Sequence, residues 1–426
     1  MLGFESMNDP SGLGVRFLQI SDLRFEEPLP LDEEMPVSLR SELLQAKRTA
    51  LKKIVSLAVE RRFDFVLFTG RILATTKASP GLLRAFCEEL AGLGEQGIPI
   101  YWHTARGEKT WPKWLNLPPG CHLVKGPTVV RTGQGTPLLV FVPFRYWMPG
   151  PHGRKEKTAR SEQARPRGLP VVVLAGRVGK AELQQAMELR PAAYWALCEG
   201  NRRQLVHAGQ IAHCPGPIQP ENENQCGSHG CTEVHIPARQ SAKILWHPAD
   251  VVRFVKIHLH YEEFPSLEKL QEDAEKQRDR IRKAWPDRIV LATWVIHLLI
   301  DSSGSDNSWK KLEHRLADEF RRLCNHRLGT ETPPLWSLAV RICPHIRLGR
   351  VFPRSFLATF LEEAKKPDLL ARAISQTEKQ LDGEWTKDHI EGRVLADLLK
   401  AMKKRKLARL AAWEGLRQLA SKGASS

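Results

Sequence analysis

Apolar residues recur in two rhythms along the first half of the chain. Val15–Ile20, Asp64–Thr69 and Ile98–His103 are short runs of branched and aromatic residues, with the length and make-up of buried strands. Between them, Ser41–Arg61 places Leu44, Leu51, Ile54, Val55, Ala58 and Val59 at helical spacing, and Leu82–Leu93 repeats the pattern. Strand, helix, strand, helix, strand predicts a layered α/β domain around a mostly parallel sheet. Further strands are expected at Val129–Arg131, Leu138–Val142, Pro170–Leu174, Tyr194–Leu197, Gln210–Cys214 and Gly230–Ile236, with a helix at Lys180–Glu188. Met148–Gly168 is rich in Pro, Gly, Lys and Arg and reads as a solvated basic loop.

The pattern changes near Trp246. Val251–His260 and Arg288–Ile300 read as strands flanking an amphipathic helix, Leu267–Ala284. From Pro353 the chain is helical and highly charged. The expected organisation is a polar N-terminus (1–14), a large α/β domain (15–245), a small β-α-β domain (246–345) and a basic helical segment (346–426).

Composition narrows the function. A chain of 426 residues suggests two or three domains, and 42% apolar residues suffice for real cores. The formal charge of +16 favours polyanionic partners, either nucleic acid or an anionic surface, without choosing between them. No apolar run is long enough to span a membrane, and the polar start lacks the features of a signal peptide. Eight scattered cysteines read as reduced thiols, so the expected location is cytoplasmic.

Five segments, in order, carry a resemblance: Phe17-Leu18-Gln19-Ile20-Ser21-Asp22-Leu23, Phe65-Val66-Leu67-Phe68-Thr69-Gly70, Ile98-Pro99-Ile100-Tyr101-Trp102, Tyr194-Trp195-Ala196-Leu197 and Pro215-Gly216-Pro217-Ile218-Gln219-Pro220. Over roughly Val15–Leu299 the chain resembles SbcD-like DNA-repair exonucleases of the calcineurin-like metallophosphoesterase superfamily. The resemblance implies a four-layer α/β sandwich, a small capping domain and a C-terminal helical segment. It also implies a homodimer and an SMC-type ATPase partner of the SbcC kind. In active relatives, loops at the carboxyl ends of the strands hold two divalent ions, typically manganese, that clamp a phosphodiester.

Nearly every ligand position departs from that pattern. Asp22 remains, but Arg24 stands at the first histidine place and Arg71 at the bridging carboxylate. Arg106 and Gly107, followed by Glu108, replace the third motif's Asn-His pair. Ala175 occupies the place of the lone histidine, and Cys198-Glu199-Gly200-Asn201 stands for the final Gly-His-x-His. Guanidinium cannot ligate a metal, and three fixed cations repel one. No cofactor is therefore expected and no residue is assigned a catalytic role. The arginines either pair with Asp22, Glu108 and Glu199 and fill the old cavity, or hold a DNA phosphate. Residual catalysis would have to use Asp22, Glu108, Glu199 and Asn201.

Two further features stand outside that pattern. Cys214, Cys226, His229 and Cys231 are close in sequence, though not at a usual zinc spacing. Ala396–Leu419 is an amphipathic helix with one apolar and one basic side. Its Lys403, Lys404, Arg405, Leu407, Leu410 and Trp413 are candidates for docking on the ATPase coiled coil, or for DNA contact. The expected function is a non-catalytic, DNA-binding and ATPase-binding subunit. The alternatives are an active exonuclease with a rearranged site and a protein-only scaffold.

Overall fold

The computed structural model describes residues 14–346, apart from 104–110, 112–114, 148–168, 177, 199, 201, 208, 238–240, 263–264, 301–307 and 329–332. The expected basic loop at 148–168 and the segment 347–426, with Lys403, Lys404, Arg405, Leu407, Leu410 and Trp413, therefore lie outside the described residues.

The first sheet runs in the order β12 (Lys243–Pro248), β11 (Gly230–Ile236), β1 (Val15–Ser21), β2 (Phe65–Thr69), β3 (Ile100–Trp102), β4 (Cys121–Leu123). Its β1 to β4 pair in parallel, while β11 and β12 run antiparallel. The second sheet runs β5 (Thr128–Arg131), β6 (Pro137–Pro143), β7 (Val171–Ala175), β8 (Tyr194–Leu197), β10 (Ile211–Cys214), β9 (Gln204–His207). Parallel pairing from β6 through β10 is flanked by an antiparallel strand at each edge.

Alternation along the strands explains the layers. Successive side chains point to opposite faces of a sheet, so each buried strand serves two cores. Leu18, Ile20, Val66, Phe68, Ile100 and Trp102 pack under helices α1 (Val37–Glu60) and α2 (Pro80–Glu95). Their neighbours Phe17, Phe65, Leu67 and Tyr101 pack against Phe141, Val172, Leu174 and Tyr194 of the second sheet. The far face of that sheet presents Val142, Val173, Trp195 and Leu197 to α3 (Phe144–Trp147) and α4 (Lys180–Leu189). The result is a four-layer helix/sheet/sheet/helix sandwich, the architecture the resemblance implied. Polar contacts also cross the middle: Gln19 Nε2 donates to Leu197 O at 3.3 Å, Gln19 Oε1 accepts from Tyr194 Oη at 2.6 Å, and His213 Nε2 meets Thr232 Oγ1 at 2.8 Å.

The remaining elements are β13 (Val252–Tyr261), α5 (Leu267–Ala284), β14 (Ile289–Ile300), α6 (Ser308–Leu328) and β15 (Leu335–Ile346), with a three-stranded sheet in the order β13-β14-β15. The chain divides into two compact units. Among the described residues, the first holds 14–256, 278–293 and 327–338, and the second holds 257–277, 294–326 and 339–346. In the first unit Val252, Phe254, Ile289, Leu291 and Trp336 pack with Met35, Leu39 and Leu43. In the second, Leu259, Leu270, Ala274, Trp294, Ile296 and Phe320 are buried, with the Trp294 and Phe320 rings 5.3 Å apart. No helix among the described residues is long and apolar enough to cross a membrane.

Candidate functional site: a filled cleft at the strand ends

Ligands of open α/β sheets gather at the carboxyl ends of the strands, and the residues singled out from the sequence lie there. Asp22 and Arg24 follow β1, Gly70 and Arg71 follow β2, Ala175 ends β7, and Cys198 and Gly200 follow β8. Arg106, Gly107, Glu108, Glu199 and Asn201 lie outside the described residues.

Asp22 is 2% exposed, and its carboxylate faces backbone donors. Oδ1 accepts from Arg71 N at 3.0 Å, and Oδ2 accepts from Gly200 N at 3.1 Å and from Ser21 Oγ at 2.7 Å. The carboxylate thus ties together the loops that follow β1, β2 and β8. A buried charge is tolerated when donors surround it in this way. The backbone closes up around it. Asp22 and Arg24 sit at φ +48° and +45°, a region that few non-glycine residues adopt. Arg24 N donates to Arg71 O at 2.9 Å and Phe25 N to Ile72 O at 2.9 Å, so the β1 and β2 loops continue the pairing of their strands.

Gly70 is where this closure is tightest. Its φ is +72°, and a Cβ there would lie 2.6 Å from Asp22 Oδ1. Gly70→Ala is expected to cost about 2 kcal/mol from the left-handed backbone and the crowded carboxylate. Chemical denaturation of the variant measures this, and an unchanged midpoint would show that the loop gives way freely.

The two described arginines are paired, but not with Asp22. Arg71 Nη2 meets Glu27 Oε1 at 2.5 Å, and Arg24 Nη1 lies 3.7 Å from Glu27 Oε2. Arg24 Nη1 also meets Glu221 Oε2 at 2.7 Å, and Lys47 Nζ lies 3.8 Å from Glu221 Oε1. The charges alternate as Arg71, Glu27, Arg24, Glu221, Lys47. Lys47 Nζ also donates to Arg24 O at 2.7 Å. Burial pulls the Lys47 ammonium down to about 8, against the opposing pull of Glu221. Burial likewise pushes the Glu221 carboxyl up, against Lys47 and Arg24. Desolvation is the leading cause for both, as expected of charges taken out of water.

For Arg24 and Arg71 the expected pairing with Asp22 is corrected by this geometry. Its oxygens are occupied by N–H and O–H donors, and the counter-charges are Glu27 and Glu221. Neither glutamate stood out in the sequence. A signal for Lys47 was present: it lies on the buried face of α1 among Leu43, Ala46, Ala50, Leu51 and Ile54. Glu221 directly follows the Pro215–Pro220 turn, and that adjacency was its only mark.

The described residues do not fit a pair of divalent ions. Arg24 and Arg71 occupy two ligand places, Ala175 is fully buried without a donor, and Asp22 is engaged on both oxygens. Nor do any three His, Cys, Asp or Glu among the described residues converge on a point that a metal would occupy. Of the cysteine-rich group, Cys214 and Cys231 are buried, and burial raises their thiols to about 11 and about 12. Cys226 Sγ donates to Glu223 O at 3.2 Å, and His229 Nδ1 contacts Gly227 O at 3.0 Å.

No family model matches this chain, and no curated protein matches it. A solved structure of a dimetal phosphatase from Danio rerio aligns with 54% of this chain and 98% of that chain, at 10% identity and a TM-score of 0.31. A likeness that loose carries no argument. The α/β fold class rests on the strand order and the layers.

Proposed function

We propose that this chain is a non-catalytic relative of SbcD-like exonucleases that binds DNA and an SbcC-like SMC-type ATPase. The observation that carries the non-catalytic part is Asp22. The one metal-ligand type kept in the sequence spends its carboxylate on three neighbouring donors, while Arg24 and Arg71 stand at ligand places with carboxylates of their own. Metal-pair hydrolysis needs several free oxygen and imidazole donors on one point.

The same pairing supports the filled-cavity reading over the phosphate-clamp reading. Arg24 and Arg71 each have a glutamate within salt-bridge distance, so neither awaits a phosphate. DNA affinity in this proposal comes from the charge surplus elsewhere on the chain, +16 in all. The basic face at Lys403, Lys404 and Arg405 and the apolar positions Leu407, Leu410 and Trp413 are assigned to the partner by their amphipathic pattern.

Fluorescence anisotropy with duplex DNA tests this. If about four phosphates are neutralised, affinity falls roughly a hundredfold between about 50 and 200 mM salt. Added manganese leaves the DNA intact. Degradation that requires manganese and disappears in Asp22→Ala would overturn the proposal. Undetectable DNA binding, with a stable ATPase complex, would favour the protein-only scaffold.

A further inference from the structure

Three imidazoles meet on one face of the small sheet, all within the second unit. His258 and His260 lie two apart on β13, so both point to the same side. Both are exposed, while Ile257 and Leu259 between and beside them are buried. His297 reaches them from neighbouring β14. His258 Nδ1 and His297 Nε2 are 2.9 Å apart, and those ring planes differ by 16°. His260 lies flat on His297, with centroids 4.4 Å apart and planes within 6°.

We propose that His258, His260 and His297 form a binding site for one borderline divalent transition ion of the zinc class. The donor set is three neutral imidazoles, which suits zinc, cobalt, nickel or copper rather than magnesium or calcium. The backbone is held from behind, because Leu259, Trp294, Ile296 and Leu298 are all buried. The chain therefore fixes where the three rings originate, with His258 and His260 exposed.

As the rings stand they do not converge on a metal. His258 and His297 share a hydrogen bond in nearly one plane, and His260 is stacked. The change needed is small. A tetrahedral ion with nitrogen ligands spaces them about 3.4 Å apart, so the hydrogen-bonded pair opens by roughly half an ångström. The ion takes the place of the proton between them, and that proton passes through solvent to the other nitrogen of the ring that carried it, which keeps each imidazole neutral. His260 turns off the stack by a side-chain rotation, which is fast for an exposed residue. Water completes the fourth position. This site is independent of the cleft near Asp22, and neither proposal needs the other.

The test uses the full chain, freed of metal and titrated with cobalt(II) and then zinc. The expected result is uptake of one cobalt by this site, with the intense visible absorption of four-coordinate cobalt, displaced by zinc. The combined variant His258→Ala/His260→Ala/His297→Ala loses that equivalent and that absorption. Zinc raises the melting temperature of the wild type but not of the variant. The single variant His260→Ala, at an exposed position, weakens uptake without altering the metal-free melt and guards against misfolding of the triple. Equal uptake by wild type and triple variant, or no uptake by the wild type, overturns the assignment.

Discussion

Asp22→Ala is expected to lower the stability of the large unit by about 3 kcal/mol, because it strips two buried backbone N–H groups of their acceptor. Arg71 N and Gly200 N both donate to this carboxylate, which is itself 2% exposed. Ser21 Oγ loses a partner too, but a hydroxyl can rotate toward another acceptor. Asp22→Asn keeps one oxygen for one of the two N–H groups, so about half of the loss should remain. The direction separates the proposed role from a catalytic one. Functional carboxylates crowded around a metal pair are held at a cost to stability, and removing one commonly stabilises the metal-free fold. Urea denaturation of the two variants, with and without manganese, reads this out. An Asp22→Ala protein as stable as the wild type would remove the structural role assigned to this side chain.

How much of this was legible depended on what each feature requires. The layered fold was, because buried strands need unbroken apolar runs and helices on a sheet need a 3.6-residue rhythm, and both are local properties of sequence. Val15–Ile20 and Asp64–Thr69 were expected within a residue of β1 and β2. Helix α1 begins at Val37, four residues before the expected Ser41, because Pro36 supplies the extended residue at its start. Short edge strands escaped. β9 is Gln204–His207 and β12 is Lys243–Pro248, and both are largely exposed, so the apolar signal is weak where one face meets water. In the second unit α6 and β15 were not anticipated, although Leu316, Phe320 and Cys324 are spaced for a helix and buried. At the cleft, Arg24 and Arg71 could be placed because they interrupt motifs. Their partners could not. Glu27 lies in a loop and meets Arg71 across 44 residues, and Glu221 meets Arg24 across 197, so these pairings are set by the fold and not by local sequence. The histidines of the small sheet were the reverse case. Nothing in the sequence marks them, and the pairing of β13 with β14 is what brings the three rings together.

The larger of the two stability effects is expected at Glu221. Glu221→Ala should cost about 4 kcal/mol, because it leaves Arg24 and Lys47 as poorly compensated charges in a shielded place. The Arg24 and Glu221 side chains are 18% and 15% exposed, so solvent screens the pair only in part. Arg24 retains Glu27, but at 3.7 Å rather than 2.7 Å. Lys47, at 6% exposure, keeps only a carbonyl at hydrogen-bond distance. The double variant Arg24→Met/Glu221→Leu should be less destabilised than Glu221→Ala alone, since apolar side chains of similar size fill the space without stranding a charge. Phosphate then discriminates between the two uses of the arginines. If the carboxylates already satisfy Arg24 and Arg71, phosphate does not raise the wild-type melting temperature but does rescue Glu221→Ala, where an anion replaces the missing carboxylate. If the cleft is instead an anion clamp, phosphate stabilises the wild type at least as well as the variant. The charge pattern favours the first outcome, because Glu27 and Glu221 alternate with the three cations.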